Sequence, residues 1–264
     1  MMPYIIIGDM AIRTYIIFIA LSALVLVYFV LYREIPARIN EEPYLERLSG
    51  HFWELTLLSL VLAIIGARLG FVLVHLDLYT HRPWWDMLAF WRGGLTFHGG
   101  LIMVLLGIAL YCWWRRFPYL KLLDLMAPYM ALTYAVGRIG CFFNACCYGY
   151  PTDLPWGVVF PTLSDLARHP TQIYAAIFSL LIFFILQRIK YSGPFPGAIF
   201  VWFVILHSAY RFVVEFFRVS PPFLYSLSLA QVLTAALIMS GIIVLLWQRK
   251  KMRQGEGGFG SSAL

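Results

Sequence analysis

Residues 197–217 read GAIFVWFVILHSAYRFVVEFF. A run this long and this apolar matches the roughly 20 residues that a helix needs to cross about 30 Å of hydrocarbon. Yet it contains His207, Arg211 and Glu215, and Arg218 follows directly. The spacings of 4, 4 and 3 residues place all four on one face of a helix. Ionisable groups at bilayer depth are costly and are kept where protein or water surrounds them. The segment therefore predicts a membrane helix whose polar stripe faces other helices.

Working outward, six further stretches have the same character, and the approximate spans are 14–32, 53–75, 95–114, 119–138, 172–189, 197–217 and 227–247. The fourth is interrupted by Asp124 and Pro128. The whole chain of 264 residues is 61% hydrophobic and only 12% charged, against roughly 45–50% and 25% in soluble domains. Too few polar side chains exist to cover a soluble fold of this size. The same figures exclude a disordered chain, a collagen and a small disulfide scaffold. The expected fold is all-α, a polytopic membrane bundle of about seven helices with a small outer-face loop cap over 139–171. Residues 1–250 form a single transmembrane domain in this reading, and 251–264 a Gly/Ser-rich disordered tail.

The formal net charge is +7. No basic run interleaved with aromatics argues for nucleic acid, so the excess is read as topology and contact with anionic lipid. One set of loops carries Arg33, Arg38, Arg47, Arg115, Arg116, Lys121, Arg188, Lys190, Arg249, Lys250, Lys251 and Arg253. The other side carries half as many: Arg13, Arg82, Arg92, Arg138, Arg168 and Arg218. The bias puts the N-terminus outside and the C-terminus in the cytoplasm. Residues 33–52 are expected along the cytoplasmic interface, and Trp84, Trp85 and Trp91 in an outer aromatic belt.

Several polar groups then call for a role. The stripe His207–Arg211–Glu215–Arg218 is either a self-neutralising Arg–Glu pair or the lining of a cavity for an anion. Two arginines against one glutamate favour the anion. Arg138 lies in Gly137-Arg-Ile-Gly140, where glycines allow close approach of a ligand and the guanidinium fork suits phosphate; a snorkelling interfacial arginine is the alternative. His98, between glycine pairs in GGLTFHGG (93–100), can titrate near neutral pH or simply pack. Arg68 is a buried charge with no obvious local partner. Cys141, Cys146 and Cys147 form C-x4-C-C, a poor fit to zinc spacings, so small buried hydrophobes come first, an outer-face disulfide second, and no metal is expected.

Taken together, GARLGFVL (66–73), RGGLTFHGG (92–100), GRIGCFFNACCYG (137–149), PWGVVFP (155–161), RHPTQIY (168–174) and YRFVVEFFR (210–218) resemble the prolipoprotein diacylglyceryl transferase family. The resemblance runs from the first helix through the sixth. It implies a transferase of the bacterial inner membrane. Such an enzyme moves the diacylglyceryl group of phosphatidylglycerol to the lipobox cysteine thiol of a preprolipoprotein signal peptide. A thioether forms and glycerol phosphate leaves. The implied partners are phosphatidylglycerol, lipobox-bearing signal peptides and membrane lipid, and no cofactor is implied. Because the substrate's tails stay in lipid, the site should open sideways between helices.

Position by position, the resemblance makes His98 a base or phosphate contact and Arg138 the signature phosphate-binding arginine. Arg211 becomes a second arginine, holding phosphate or positioning the thiol. Glu215 and Arg218 match the acidic and basic residues that follow. Tyr15 matches a tyrosine near the outer end of the first helix that contacts the headgroup, and Asn144 and Gly149 complete the signature. Arg68, Gly99 and His207 join the expected substrate-binding set. The chain departs from the commonest pattern, G-R-x-G-N-F-x-N-G-E, with Cys141 for Asn and Cys146 for Glu, and His207 stands where a tyrosine is expected. The alternative to a transferase is a lipid- or anion-binding homologue or a transporter using the same arginines. Transporters tend to show repeats and paired broken helices, and neither is evident.

Overall fold

The computed structural model describes residues 4–7, 10–80, 83–161 and 163–257. The elements run β1 (Tyr4–Ile7), β2 (Met10–Arg13), α1 (Thr14–Phe29), α2 (Ile35–Arg38), α3 (Tyr44–Val74), α4 (Phe97–Arg115) and α5 (Tyr119–Phe143). They continue through β3 (Val158–Phe160), β4 (Ser164–Arg168), α6 (Thr171–Ile189), α7 (Ala198–Glu215), β5 (Pro222–Leu224), β6 (Leu227–Ser228) and α8 (Leu229–Gly257). Among the described residues, six helices are long and apolar enough to cross a membrane. The fold is an all-α polytopic membrane bundle. The expected fourth span is also helical, as α5, but Lys121, Asp124 and Arg138 leave it less apolar than the six.

Boundaries move where apolar periodicity alone is a poor guide. A π-helical turn, Val30–Glu34, carries α1 into α2, and α3 begins at Tyr44, well before the expected residue 53. α5 runs on to Phe143, so Arg138 sits inside a helix and the expected loop starts later. α8 continues through Gly257, and the rest of the expected tail lies outside the described residues. Three short antiparallel hairpins, β1–β2, β3–β4 and β5–β6, were not anticipated as strands. In the first, Tyr4 pairs with Arg13, whose guanidinium lies 5.9 Å from the Tyr4 ring centroid.

The chain packs as two compact units, residues 31–122 and residues 1–30 with 123–264. In residues 31–122, α3 and α4 pack through glycine. A Cβ at Gly99 would collide with the Gly66 carbonyl oxygen, and one at Gly66 with Met103. Small residues let membrane helices approach backbone to backbone, where dispersion contacts are densest. Thr96, preceding α4, donates its amide to the Ala67 carbonyl at 2.9 Å and locks the register. Toward the other end of the pair, Glu54 accepts from the Tyr111 hydroxyl at 2.8 Å and Arg115 Nη2 at 3.1 Å.

In the other unit, the core lies among α5, α6 and α7. Ala127 and Ala131 meet Ala175, Ile182 and Leu186 and also Ile199, Tyr210 and Val214. α1 docks on α5 where Gly140 leaves room for Phe18, and Phe18 stacks on Phe143 at 5.4 Å. Gly140 therefore serves helix packing, where the sequence suggested approach of a ligand.

Asp124, which seemed to interrupt a span, terminates another helix. Its Oδ2 accepts the Gly197 amide at 2.6 Å and its Oδ1 the Phe200 amide at 2.9 Å. These are two of the N–H groups that the first turn of α7 cannot satisfy internally. Gly197 holds φ +95°, which only glycine adopts readily. Asp124→Ala should cost about 1–2 kcal/mol, the upper range for a lost helix cap. Thermal unfolding in detergent should show the loss, with Asp124→Asn recovering part of it; equal melting of the alanine variant would remove the capping role.

Candidate active site

The residues of the polar stripe meet side chains from α5 and from the turns after α7. Arg138 projects from α5, with its guanidinium 4.7 Å from the Tyr134 ring centroid and Nη2 donating to the Tyr134 hydroxyl. Tyr134 in turn lies edge-on to His207 at 4.7 Å and to Tyr210 at 6.1 Å. His207 is enclosed by Tyr134, Tyr210 at 4.8 Å and Phe203 at 5.3 Å. Arg138 Nε and His207 Nδ1 are buried with no hydrogen-bond partner among the described residues. Buried polar atoms are seldom left so, and both atoms suit a polar ligand.

Glu215 is the hub of the second half. It is buried, with 5% exposure. Its Oε2 lies 2.5 Å from Arg211 Nη1 and 3.8 Å from Arg218 Nε. Its Oε1 accepts from Ser220 Oγ at 2.6 Å and from Ser228 Oγ at 3.2 Å. Arg138 and Arg218 both act electrostatically on Arg211. Two guanidiniums thus share one carboxylate, and Arg138 acts on Arg211 from α5. The Arg211–Glu215 pair of the first reading is present, and it leaves a surplus of positive charge beside it. Arg218 lies just beyond the end of α7, in the turn, not on the helix itself.

The signature loop is knitted to its neighbours. Gly149 donates its amide to the His169 carbonyl at 2.9 Å and bridges Arg218; a Cβ there would collide with the Phe217 carbonyl oxygen. Gly149 therefore positions Arg218 by letting two backbones cross. Thr171 Oγ1 donates to the Cys147 carbonyl and Gln172 Nε2 to the Cys146 carbonyl, both at 2.6 Å. The Trp156 indole donates to the Tyr174 hydroxyl at 2.8 Å, joining PWGVVFP to RHPTQIY. The Cys146 thiol donates to the Cys141 carbonyl, with S–O 3.6 Å, and Asn144 lies beside it. Tyr15 at the start of α1 lies within electrostatic reach of Arg138 and of Cys141, Cys146 and Cys147. All four cysteines are free thiols.

The remaining expected residues belong to residues 31–122. Arg68 is buried, but it has partners. Nε donates to the Met87 carbonyl at 2.8 Å, Nη2 to Asp86 at 2.6 Å, and Nη1 to Gly93 and Gly94 at 2.7 and 3.2 Å. Its geometry is that of a clamp on the 86–94 loop, which borders a cavity of about 190 Å³. His98 is exposed in the first turn of α4. It stands with Gly99 on the lining of an apolar cavity of about 400 Å³ that also touches Leu69, Leu73, Ile102 and Leu106. Gly99 contributes space between helices.

Sequence reasoning named Arg138, Arg211, Glu215, Arg218, His207 and Tyr15, which the structure places in one unit, together with Arg68, His98 and Gly99, which belong to the other. It missed Tyr134, Tyr210, Ser220 and Ser228. Tyr134 and Arg138 are four residues apart, a spacing that places them together on a helix and was open to reading; the serines carry no comparable signal.

A family model described as prolipoprotein diacylglyceryl transferase matches residues 3–247. A protein of Leptothrix cholodnii named phosphatidylglycerol–prolipoprotein diacylglyceryl transferase is 35% identical over 247 residues, covering 85% of this chain and 87% of its own. Relatives of the same name are found in Cupriavidus pinatubonensis, 36% identical over 73% of this chain and 72% of its own. Another, in Wolbachia sp. subsp. Brugia malayi, is 37% identical over 75% of this chain and 79% of its own.

Proposed function

Since the chain belongs to the prolipoprotein diacylglyceryl transferase family, we propose that it transfers diacylglyceryl from phosphatidylglycerol to a preprolipoprotein thiol. It does so as a multi-pass protein of the bacterial inner membrane, on the lipobox cysteine of the signal peptide. Residues 1–250 act as one transmembrane domain, with the N-terminus outside and the C-terminus cytoplasmic, as the basic loops require.

The observation that carries this reading is the surplus of half-buried guanidinium at Arg138, Arg211 and Arg218, set against the carboxylate of Glu215. In the transfer, the thiol loses its proton and a carbon–sulfur bond forms at the glyceryl carbon. The carbon–oxygen bond to phosphate breaks, and glycerol phosphate departs with that electron pair. Negative charge therefore grows on phosphate oxygens, where prearranged cations are most effective in a dry site. Arg138 binds the phosphate, with Tyr134 fixing its plane; its unpartnered Nε is a donor suited to a phosphate oxygen. Arg211 and Arg218 supply the field, and Glu215 with its serines holds them in place. Tyr15 and Asn144 border the headgroup. The apolar cavity beside His98 suits an acyl chain, with the imidazole at its edge.

The test uses purified protein in phosphatidylglycerol-containing micelles with a lipobox peptide. Mass spectrometry should detect both the diacylglyceryl adduct and released glycerol phosphate. His98→Ala should lower turnover by about 100-fold, within the range for lost acid–base help. If His98 takes the thiol proton, bound phosphatidylglycerol is retained; if it contacts phosphate, lipid retention falls as well. Absence of both products from unaltered protein that retains the lipid would instead favour an anion- or lipid-binding homologue.

A further inference from the structure

The C-x4-C-C spacing conceals a cluster. Cys141 lies in the last turn of α5, and Cys146 and Cys147 in the turn that follows, yet the three sulfur atoms all lie within 4.8 Å of one another. The Cys146 amide donates to the Cys141 carbonyl at 3.1 Å, which folds the turn back on the helix end. Ala145 and Cys147 hold positive φ, 50° and 63°, a conformation that side chains other than glycine's rarely adopt. Two buried α6 side chains, Thr171 and Gln172, fix the carbonyls of Cys147 and Cys146. The turn is held from three directions, and what it presents is three thiols.

We propose that Cys141, Cys146 and Cys147 form a three-thiolate site for a thiophilic d10 cation of the Zn²⁺ or Cu⁺ class. Thiolate bonds to such ions are about 2.3 Å long, so three sulfurs sharing one ion lie roughly 4 Å apart. Small rotations about the side-chain bonds bring this set there. An all-sulfur donor set selects soft and borderline metals over Mg²⁺ or Ca²⁺. Binding breaks three S–H bonds, forms three metal–sulfur bonds and releases three protons to water, with no change of oxidation state. With Zn²⁺ the product carries one negative charge, and Arg138 and Arg218 act electrostatically on Cys147 to offset it. Three ligands leave a further position open, beside the end of α5 that carries Arg138.

Full-length protein in detergent, reduced and stripped with chelator, would be titrated with Cd²⁺ and followed by cadmium–thiolate absorption in the ultraviolet. One ion should bind per chain. Alkylation followed by mass spectrometry should show Cys141, Cys146 and Cys147 protected by the ion, and Cys112 unaffected. Loss of an outer partner alone weakens metal sites about 10- to 100-fold, so Cys146→Ser or Cys147→Ser should weaken Cd²⁺ by at least tenfold. Cys112→Ser should leave it unchanged. Displacement by Zn²⁺ or Cu⁺ then identifies the preferred ion. Unchanged affinity in the serine variants, or no protection of the three thiols in the unaltered protein, would overturn the site. The protection experiment needs no variant and is independent of transferase activity.

Discussion

Arg138→Ala should lower thioether formation by about 100- to 1,000-fold, the loss typical when one prearranged charge-stabilising donor is removed, while the protein stays folded. The separation follows from its contacts. Arg138 donates to Tyr134, a neighbour one turn away on the same helix, and stands over that ring. No other element is tied down by its guanidinium in a hydrogen bond among those described. Truncation therefore removes the proposed phosphate contact with little effect on packing. Arg138→Lys should recover only part of the activity, because an ammonium cannot present two parallel donors to phosphate. The measurement is mass-spectrometric yield of the adduct, alongside a melting curve. An Arg138→Ala variant with unaltered turnover would remove Arg138 from the chemistry.

Glu215→Ala should do the reverse and fail first as a folded protein. Its buried carboxylate joins the half-buried Arg211 and Arg218 with Ser220 and Ser228. Removing one partner of a buried ion pair leaves the other charge uncompensated, at a cost of about 3–5 kcal/mol. Here two guanidiniums lose their counter-charge together. Both serine hydroxyls also lose an acceptor, and the turn after α7 and strand β6 lose their ties to that helix. Glu215→Gln keeps an acceptor for the serines and should fall between. Thermal unfolding in phosphatidylglycerol-free detergent separates this loss from any effect of substrate. Identical melting of the alanine variant would show that Glu215 is not the hub.

The membrane helices could be read in the sequence because an apolar run long enough to cross lipid is seldom stable anywhere else. Long-range polar contacts could not be read in the same way. Asp124 appears as a flaw in a span because its partners, the amides of Gly197 and Phe200, lie more than seventy residues away. Arg68 appears unpartnered because its acceptors are backbone carbonyls, which no residue type announces. The glycines flanking Arg138 suggested approach to a ligand, but helix contact uses the same absence of a side chain, as Gly140 does for Phe18. Glu215, Arg211 and Arg218 were legible through spacing, whereas Ser220 reaches the same carboxylate from the turn after α7 and Ser228 from β6, at no helical spacing. The three cysteines were judged by metal-site spacing, and a turn with two left-handed residues brings them together regardless.

The Arg68 clamp has a mechanical consequence. Trp84, Trp85 and Trp91 are all well exposed on or beside a loop whose carbonyls at residues 86, 87, 93 and 94 are gripped by one guanidinium. Indoles favour the headgroup layer, and these are carried on a stiff mount instead of a slack tether. A vertical shift of that layer is therefore delivered as force to α3 at Arg68, two residues from the glycine contact with α4. Bilayer thickness becomes an input to the helix pair that bears His98.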